Sequence, residues 1–538
     1  MLSELDWPAW QEIAHELQSR LTDAVIRNAV RRMPPEYYRV SGGPMEVRLR
    51  ARRDRLVEAA RDFYDLLAEQ VAVQATDQPE IATIVRRSDG QLDVTLAVST
   101  DDAEPYFRRR FHPGQTREVR IFLAGGDDRA VVRGDGPPSI KLRVIGGKGN
   151  DVLDDSQGGG TEFFDHEGEN RVVRGPGTSD SDKPYETPRD AAGNPLRDWG
   201  HQTLPMPVVS AGGDLGLLLG ARVERTSFGF RKHPYAARQS VSATYSLALQ
   251  GARIDYEGEW QRTNSRKRVN VFARASDIEV VRFHGFGNQT TAAREDEFYK
   301  NEQRQLVFAP SLTLPLGGLR FTVGPLARYS TTRPAPGTFL DQNAFYGEGE
   351  FGEAGGRARL SLDRRNNPWA PSRGVLVWTE AAYYPAVWSV REPFGSVSAE
   401  ATTYLRAGVP LQPTLALRAG GKKLWGEFPF HEAAFIGGPD QVRGLRRQRY
   451  AGDAATFGNA ELRVTLARPT IVVPTDVGLF ALADAGRVFV SGEPSDRWHT
   501  GVGGGVWLSF YRPLNTISLA VARSEGVVRV YFQGGLSF

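Results

Sequence analysis

The residue types that most often carry out chemistry are absent or scattered in this sequence. No cysteine occurs among the 538 residues, which excludes disulfides and thiolate metal sites. The 8 histidines are scattered along the sequence and form no cluster of metal-ligating residues. The sequence therefore predicts no catalytic residues and no enzyme activity.

One metal-binding pattern does occur, at residues 146–153. The run Gly-Gly-Lys-Gly-Asn-Asp-Val-Leu fits the calcium-binding nonapeptide of β-roll repeats, in which Asp and carbonyl oxygens hold the cation between consecutive turns. Its candidate ligands are Asp151 and Asp154. The upstream echo at 125–128 is degenerate, so one good copy supplies at most half a site. A plain glycine turn between strands is the alternative, and no other cofactor is predicted.

Charged residues also recur within alternating segments near the C-terminus. In residues 397–407 and 456–466, polar or charged side chains such as Glu400 and Glu461 alternate with apolar ones. A period of two with charge on one face is typical of strands that have lipid outside and a wet lumen inside. Glu461 is thus expected to face the lumen. An arginine inside such a lumen would need a carboxylate partner, because an unpaired buried charge is costly.

The alternating pattern runs from Pro205 to Phe538, which at about 20 residues per strand and connection gives roughly 16 strands. We expect a transmembrane antiparallel β-barrel over residues 205–538, so that the chain as a whole is mainly β. A soluble sandwich or propeller also alternates, but the length of this region and its terminal aromatic favour the barrel. The last strand is predicted to place these apolar residues on one face: Val528, Val530, Phe532, Leu536 and Phe538. A C-terminal assembly signal is expected at Phe532, Leu536 and Phe538.

Three segments are expected before the barrel. Residues 1–78 form a helical region, since apolar spacing predicts amphipathic helices from Trp7 to Arg32 and from about Val47 to Val73, paired as a helical hairpin. Residues 79–175 form a small β-rich domain, in which strand, glycine turn and strand repeat; this predicts a short β-solenoid or a sandwich of hairpins. Residues 176–204, rich in Pro, Asp, Ser and Gly, are predicted to be a linker.

Composition excludes several classes of protein. The formal net charge of +3 gives no indication of a nucleic-acid partner. The sequence contains no run of about 18 apolar residues, so no membrane-spanning helix is predicted. The first residues lack the basic, apolar and small-residue regions of a signal peptide, and we expect the chain to be a fragment of a longer precursor.

Residues 435–450, with the strand at 457–463, carry the most specific motif. They resemble the outer-membrane protein assembly factors of the BamA and TamA type, also called the bacterial surface antigen family. The family's loop tip matches Val442, Arg443 and Gly444, its lumen-facing glutamate matches Glu461, and its aspartate-glycine motif matches Asp484 followed by Gly486. The resemblance implies that Glu461 and Asp484 hold Arg443 inside the lumen. A further turn of this kind spans residues 363–374.

The resemblance implies a non-enzymatic barrel of the bacterial outer membrane that inserts or translocates proteins or lipids, with the N-terminal half in the periplasm. Its expected partners are outer-membrane lipid, unfolded client proteins and the barrel-assembly machinery that inserts it. Weak pairing is expected at a lateral seam between the first strand, near Val208, and the last, at 527–538.

The N-terminal half suggests an alternative function. It lacks the repeated periplasmic domains, with helix pairs beside a three-stranded sheet, that assembly factors use to receive clients. Instead it is similar to the segment that joins a calcineurin-like metallophosphoesterase to a surface-antigen barrel in some fused proteins. The barrel would then be a membrane anchor and export pore for a fused periplasmic or surface hydrolase module.

Overall fold

The chain divides into two compact units, residues 1–195 and 196–538. The computed structural model describes residues 4–100, 104–190, 192–470, 472–511 and 515–538.

Short helices open the first unit, and the two arms of the predicted hairpin pack against each other but are each divided. Their bounds are α1 Trp7–Arg20, α2 Asp23–Val30, α3 Pro35–Tyr37, α4 Gly43–Asp54 and α5 Leu56–Ala68, with a π-helical turn at Tyr38–Gly42. The first predicted helix is divided because Thr22 caps a new one, its hydroxyl accepting the Val25 N–H at 3.3 Å. The second stops at Ala68 because residues 70–74 join a sheet, where Val71 and Val73 are buried. In the described residues, no helix is long and apolar enough to cross a membrane.

Two sheets complete the first unit, and their parallel pairing identifies a β-solenoid. The strands are β1 Gln70–Gln74, β2 Glu80–Arg86, β3 Leu92–Val98, β4 Phe107–Phe111, β5 Glu118–Phe122, β6 Arg129–Arg133, β7 Lys141–Ile145, β8 Val152–Gln157, β9 Thr161–Phe164, β10 Arg171–Val173 and β11 Ser179–Ser181. One sheet has the order β1-β5-β7-β9-β11 and the other β10-β8-β6-β2-β3-β4. From β5 the chain alternates between the sheets, and among the described strands of this unit only β2-β3-β4 pair antiparallel. A sandwich of hairpins would be antiparallel throughout.

The solenoid core lies between these two sheets. Its central side chains, Val119, Ile121, Leu142, Val144 and Leu153, are fully buried and belong to strands of both sheets. Apolar side chains buried between the two sheets hold the rungs together, because each Å² of apolar surface removed from water stabilises the fold by about 25 cal/mol. The first unit therefore has a hydrophobic core of its own.

The second unit is a nearly closed antiparallel barrel of 16 strands, as predicted. The barrel strands are β12 His201–Gly212, β13 Gly216–Ser227, β14 Ala237–Ser246, β15 Gly251–Gln261, β16 Arg268–Arg282, β17 Lys300–Leu316, β18 Leu319–Thr332, β19 Gly349–Asp363, β20 Gly374–Tyr384, β21 Phe394–Arg406, β22 Thr414–Trp425, β25 Ala454–Ala467, β26 Thr475–Phe489, β27 His499–Phe510, β28 Thr516–Ser524 and β29 Val527–Gly534. Loops contribute the hairpin of β23 Ala434–Ile436 and β24 Tyr450–Gly452, the helix α6 Phe339–Gln342 and 3-10 turns at Asp296–Tyr299 and Phe430–Glu432.

The barrel strands alternate as the sequence predicts. In β21, Val397 and Leu405 are exposed on the outside, whereas Thr402 and Tyr404 are buried toward the lumen. In β25, Leu462 is exposed and Glu461 is buried. Because side chains alternate across a strand, the pairing register of a strand decides at once which of its residues face lipid and which face the lumen.

The prediction for the C-terminal face is wrong beyond Gly534. Val528, Val530 and Phe532 are exposed on the outer face of β29, but the strand ends at Gly534. Gly535 still donates its backbone N–H to the Thr516 carbonyl of β28 at 2.7 Å, but the residues after it leave the sheet. The terminal Phe538 ring lies 5.3 Å from the guanidinium of the lumen-facing Arg463. Period-two alternation no longer applies once the chain leaves the ladder, so the tail turns inward.

Candidate functional site

The long loop between β22 and β25, residues 426–453, folds back into the barrel. Its β23 and β24 strands pair antiparallel and form the stem of the loop. The tip beyond this stem carries Val442, Arg443 and Gly444, all buried, and Arg443 and Val442 have 0% of their surface exposed. A fully buried guanidinium requires carboxylates around it.

Both predicted carboxylates contact Arg443. Its Nε and Nη2 donate to Asp484 Oδ2 and Oδ1 at 2.7 and 2.6 Å, and its backbone N–H donates to Asp484 Oδ2 at 2.9 Å. Its Nη1 donates to Glu461 Oε1. Asp484 therefore binds the arginine in a two-pronged geometry while also fixing the backbone of the loop tip.

Further residues, for which the sequence suggested no role, complete this charged cluster. Asn459 Nδ2 donates to Asp484 Oδ1 at 2.8 Å, and Arg463 Nε donates to Glu461 Oε2 at 2.8 Å. The C-terminal tail joins it as well, because Ser537 Oγ accepts from Arg443 Nη1 at 3.2 Å and the Phe538 oxygen accepts from Arg463 Nη2 at 2.7 Å. Asn459 and Arg463 lie two residues before and after Glu461, so alternation alone places them on the same, lumen-facing side of the strand. No pattern in the sequence indicated that the C-terminal tail would join the cluster.

Two glycines allow the loop tip to lie directly on the inner wall. Gly444 has a φ of +93°, and a Cβ there would lie 2.6 Å from the Ser524 nitrogen. A Cβ on Gly501 in β27 would lie 2.0 Å from the Arg443 carbonyl oxygen. The Gly444 N–H donates to the Tyr531 hydroxyl of β29 at 2.8 Å. The tip is thus held against the last strands of the barrel.

Comparison with known proteins identifies the family. The Omp85 superfamily domain matches residues 225–538, more than half of the chain. The chain belongs to the Omp85 superfamily.

Solved structures similar to this Omp85 chain include BamA from Haemophilus ducreyi lacking POTRA domains 1–3, at 12% identity and a TM-score of 0.43, covering 63% of this chain and 69% of that one. CdiB from Escherichia coli has 12% identity and a TM-score of 0.42, covering 64% and 65%. CdiB from Acinetobacter baumannii has 13% identity and a TM-score of 0.39, covering 64% and 63%. No protein with a curated function matches the sequence.

An aromatic cluster joins the lumen loop of the Omp85 barrel to two other loops. The Phe283 ring lies 4.8 Å from Phe345 and 5.2 Å from Phe286 and Phe430, so three different loops meet there. Asn288 in the loop of Phe283 donates from its backbone N–H to Glu493 Oε2 at 2.9 Å, which ties in a fourth loop. Rings packed edge to face add to the energy of burial, so the cluster holds these loops together.

The seam of this Omp85 barrel lies between β12 and β29. In the part of the chain that the structure describes, β12 pairs only with β13, and β29 only with β28. Pro205 and Pro207, both in β12, have no backbone N–H, and proline within a sheet is confined to edge strands or bulges. The first strand is thus built as an edge.

The predicted calcium ligands lie in the solenoid of the first unit and bind different partners. Asp151 Oδ1 accepts the Asp128 N–H at 2.9 Å, and Asp154 Oδ1 accepts from the Ser156 hydroxyl at 2.6 Å. Across the described ranges, His, Cys, Asp and Glu side chains form no group of three or more that could hold a metal ion. Calcium binding stays a prediction.

The solenoid turns instead stack their acidic residues. The Glu80 N–H donates to Asp128 Oδ1 at 2.8 Å, and the Asp151 N–H donates to Asn170 Oδ1 at 2.8 Å, so each rung caps the one before it. Asp128 Oδ2 and Asp151 Oδ2 are buried without a hydrogen-bond partner. Burial raises the pKa of Asp128 to about 7. Burial likewise raises the pKa of Asp151 to about 7, so both carboxyls titrate near neutral pH.

Proposed function

We propose that this chain is a non-enzymatic outer-membrane barrel that inserts or translocates proteins, with the lumen loop controlling the seam between β12 and β29. The observation that carries the proposal is the position of Arg443. Its side chain binds Glu461 and Asp484, while the next residue, Gly444, donates to Tyr531 in the last strand. Separation of the seam strands would therefore move the buried charged cluster, and a change in the cluster would move the last strand.

An opening seam must be weakly paired in its closed state. Unpaired backbone groups in lipid cost several kcal/mol each, so a fully hydrogen-bonded barrel would not part. The two prolines of β12 remove donors from the first strand, and the final strand stops at Gly534. These features support opening at this one position.

The N-terminal unit is proposed to lie in the periplasm. With an even number of strands, the barrel begins and ends at the same end. The turn between β17 and β18 at that end is only residues 317–318, whereas the opposite end carries loops at 283–299, 333–348 and 426–453. Outer-membrane barrels have short periplasmic turns and longer extracellular loops. Unfolded client proteins and outer-membrane lipid are the partners that follow, with the barrel-assembly machinery needed for insertion of the chain itself.

Depletion of the protein in its native host tests this function. We expect a selected set of outer-membrane or secreted proteins to lose correct assembly, measured by quantitative proteomics of outer-membrane fractions. Complementation by the wild-type chain should restore them, whereas Arg443→Ala should not, although it reaches the membrane. An unchanged outer-membrane proteome after depletion would contradict insertion and translocation.

A second candidate, the anchor and export pore for a fused hydrolase, has its own supporting observation. The first unit contains helices and a two-sheet parallel solenoid, unlike the helix pairs beside three-stranded sheets expected of client-receiving domains. Its helices also leave Ile13, Leu17, Phe63 and Leu66 exposed, as a contact face for another module would. An in-frame phosphoesterase in the native gene, with enzyme displayed at the envelope only when the barrel is intact, would favour this candidate.

A further inference from the structure

We infer that a cavity at the barrel seam binds the phosphate of a membrane lipid headgroup that carries a net negative charge. The cavity has a volume of about 650 Å³ and is bounded by the end of β12, the lumen loop and β29. Four of its lining residues are arginines: Arg282, Arg446, Arg447 and Arg529. Only one lining residue, Asp214, is acidic. This inference concerns binding alone and does not depend on the proposed transport function.

The carboxylates near the cavity are already engaged. Arg282 Nε and Nη2 donate to Asp214 Oδ1 at 3.0 and 2.5 Å, and Arg282 Nη1 donates to the Asp296 carbonyl at 2.6 Å. The Asp296 carboxylate contacts Arg446. Neither carboxylate is left to neutralise a further cation.

Two arginines of the cavity have no acidic partner. Within the described residues, Arg447 and Arg529 form no ion pair, and the one hydrogen bond of the Arg529 side chain runs from Nε to the Gly444 carbonyl at 3.2 Å. The terminal Nη atoms of both side chains remain available. A planar guanidinium with two free N–H groups matches the geometry of a phosphate, and two of them would give a two-point site.

The walls of the cavity select a lipid over a free anion. Residues of both faces of β29 line it, because the strand has no partner on that side. Arg529 and Tyr531 belong to the inner face, whereas Val528, Val530 and Phe532 belong to the outer face and are 58%, 65% and 65% exposed. A phosphate at the arginines would therefore be covalently continuous with acyl chains lying against lipid-facing side chains. An amphiphile satisfies both surfaces, and a small anion satisfies only one.

The test is lipid retention by the full chain, folded in neutral detergent and measured by native mass spectrometry. Phosphatidylglycerol and phosphatidylcholine, at matched concentrations, give the anionic and zwitterionic arms. We expect at least a fivefold preference for phosphatidylglycerol in the wild-type chain. Arg447→Gln with Arg529→Gln should reduce that preference to near one, and Arg529→Lys, which keeps the charge but loses the fork, should give an intermediate value.

The matched control is Arg333→Gln with Arg357→Gln, which removes the same charge from a loop and from β19, away from the seam. This control should retain the wild-type preference. Equal lipid preference in wild type and the Arg447/Arg529 variant would overturn the site. Complete displacement of the lipid by millimolar inorganic phosphate, or by a soluble acidic peptide, would overturn the assignment to a lipid. If the double variant fails to fold, the absence of any headgroup preference in the wild-type chain would overturn the site equally.

Discussion

At the scale of single residues, the buried Arg443 cluster dominates the barrel. A guanidinium that is fully buried and bound by Asp484 and Glu461 contributes less through its own attraction than through the cost of leaving its partners unpaired. The two acids would be left as adjacent buried charges if the arginine were removed. Removing one residue of the cluster is therefore expected to lower the free energy of unfolding by more than the ion pairs themselves contribute to it.

Arg443→Ala should destabilise the folded barrel by about 3–5 kcal/mol, because it leaves two buried carboxylates without a cation. The measurement is urea-induced unfolding in detergent, followed by tryptophan fluorescence and heat-modifiable migration. Arg333→Ala, which truncates an exposed loop arginine, is the control and should change stability by less than about 0.5 kcal/mol. Equal unfolding midpoints for both variants would remove the energetic role of the cluster.

The raised pKa of Asp128 predicts that the stability of the solenoid depends on pH. Burial raises its pKa to about 7 from 3.8, so between these values the folded state binds more protons than the unfolded state. Stability must fall as pH rises through that window, since the proton lost on the way up is bound more tightly by the folded form. Hydrogen exchange of peptides from residues 118–173 in the full chain, corrected for the intrinsic exchange rate, should show less protection at pH 8 than at pH 5.

Asp128→Asn should reduce this difference by removing one titrating group while keeping an oxygen for the Glu80 N–H, and Asp151, whose pKa burial also raises to about 7, should account for the rest. Protection at pH 8 should rise by roughly 1–3 kcal/mol, because a neutral amide replaces a buried carboxylate that is ionised at that pH. Asp182→Asn, at an exposed position, should leave the profile as in wild type. Protection that does not change with pH in the wild-type chain would contradict the role of Asp128. Protection that calcium alone restores at pH 8 would assign that role to the predicted cation.

At the scale of elements, the stacked turns of the solenoid explain the glycines that resemble a calcium motif. Gly149 has a φ of +122°, and a Cβ there would lie 1.8 Å from the Gly126 oxygen of the preceding rung. Gly168 repeats the position, with a Cβ 1.6 Å from the Gly149 oxygen. Successive rungs therefore approach too closely for any side chain.

Gly149→Ala should loosen the solenoid by more than about 1–3 kcal/mol, since it adds a steric clash to the strain of a positive φ. Limited proteolysis of the full chain, with cleavage sites mapped by mass spectrometry, should show faster cutting within residues 118–173. Gly114→Ala is the matched control in the same unit, because no atom lies within 4 Å of the added Cβ. Wild-type cleavage rates in Gly149→Ala would show that the rungs can separate without cost.

At the scale of the whole molecule, every barrel strand pairs on both sides within the described residues, except the first and the last. Because the chain contains no cysteine, introduced thiols report on this seam without background. Ser210 and Val530 line the same cavity from the two edge strands. They provide a pair for a short bifunctional thiol reagent.

Crosslinking Ser210→Cys to Val530→Cys should block complementation of a depletion strain, if opening of the seam is required for function. Crosslinking Val521→Cys to Val530→Cys, on the permanently paired strands β28 and β29, is the control and should leave complementation intact. Cell growth and outer-membrane protein levels are the readouts. Full complementation by the chain stapled across the seam would exclude lateral opening.

The sequence by itself determined the barrel, its 16 strands and the lumen-facing side of Glu461, because period-two alternation is a local property that each strand carries independently. It also indicated repeated strands and glycine turns before the barrel. It could not choose between parallel and antiparallel pairing, since pairing joins strands from separate turns of the chain. The predicted helices likewise failed at Thr22 and Gln70, where a cap and a sheet partner outweighed apolar spacing.

Only the tertiary structure decided how the charges meet. Ser537 and Phe538 reach the Arg443 cluster because the tail leaves the last strand, and alternation carries no information beyond a strand's end. The arginines of the seam cavity come from a strand end, a loop and the final strand, which are far apart in sequence. Local patterns fix which face a residue occupies, but the closure of the barrel fixes its neighbours.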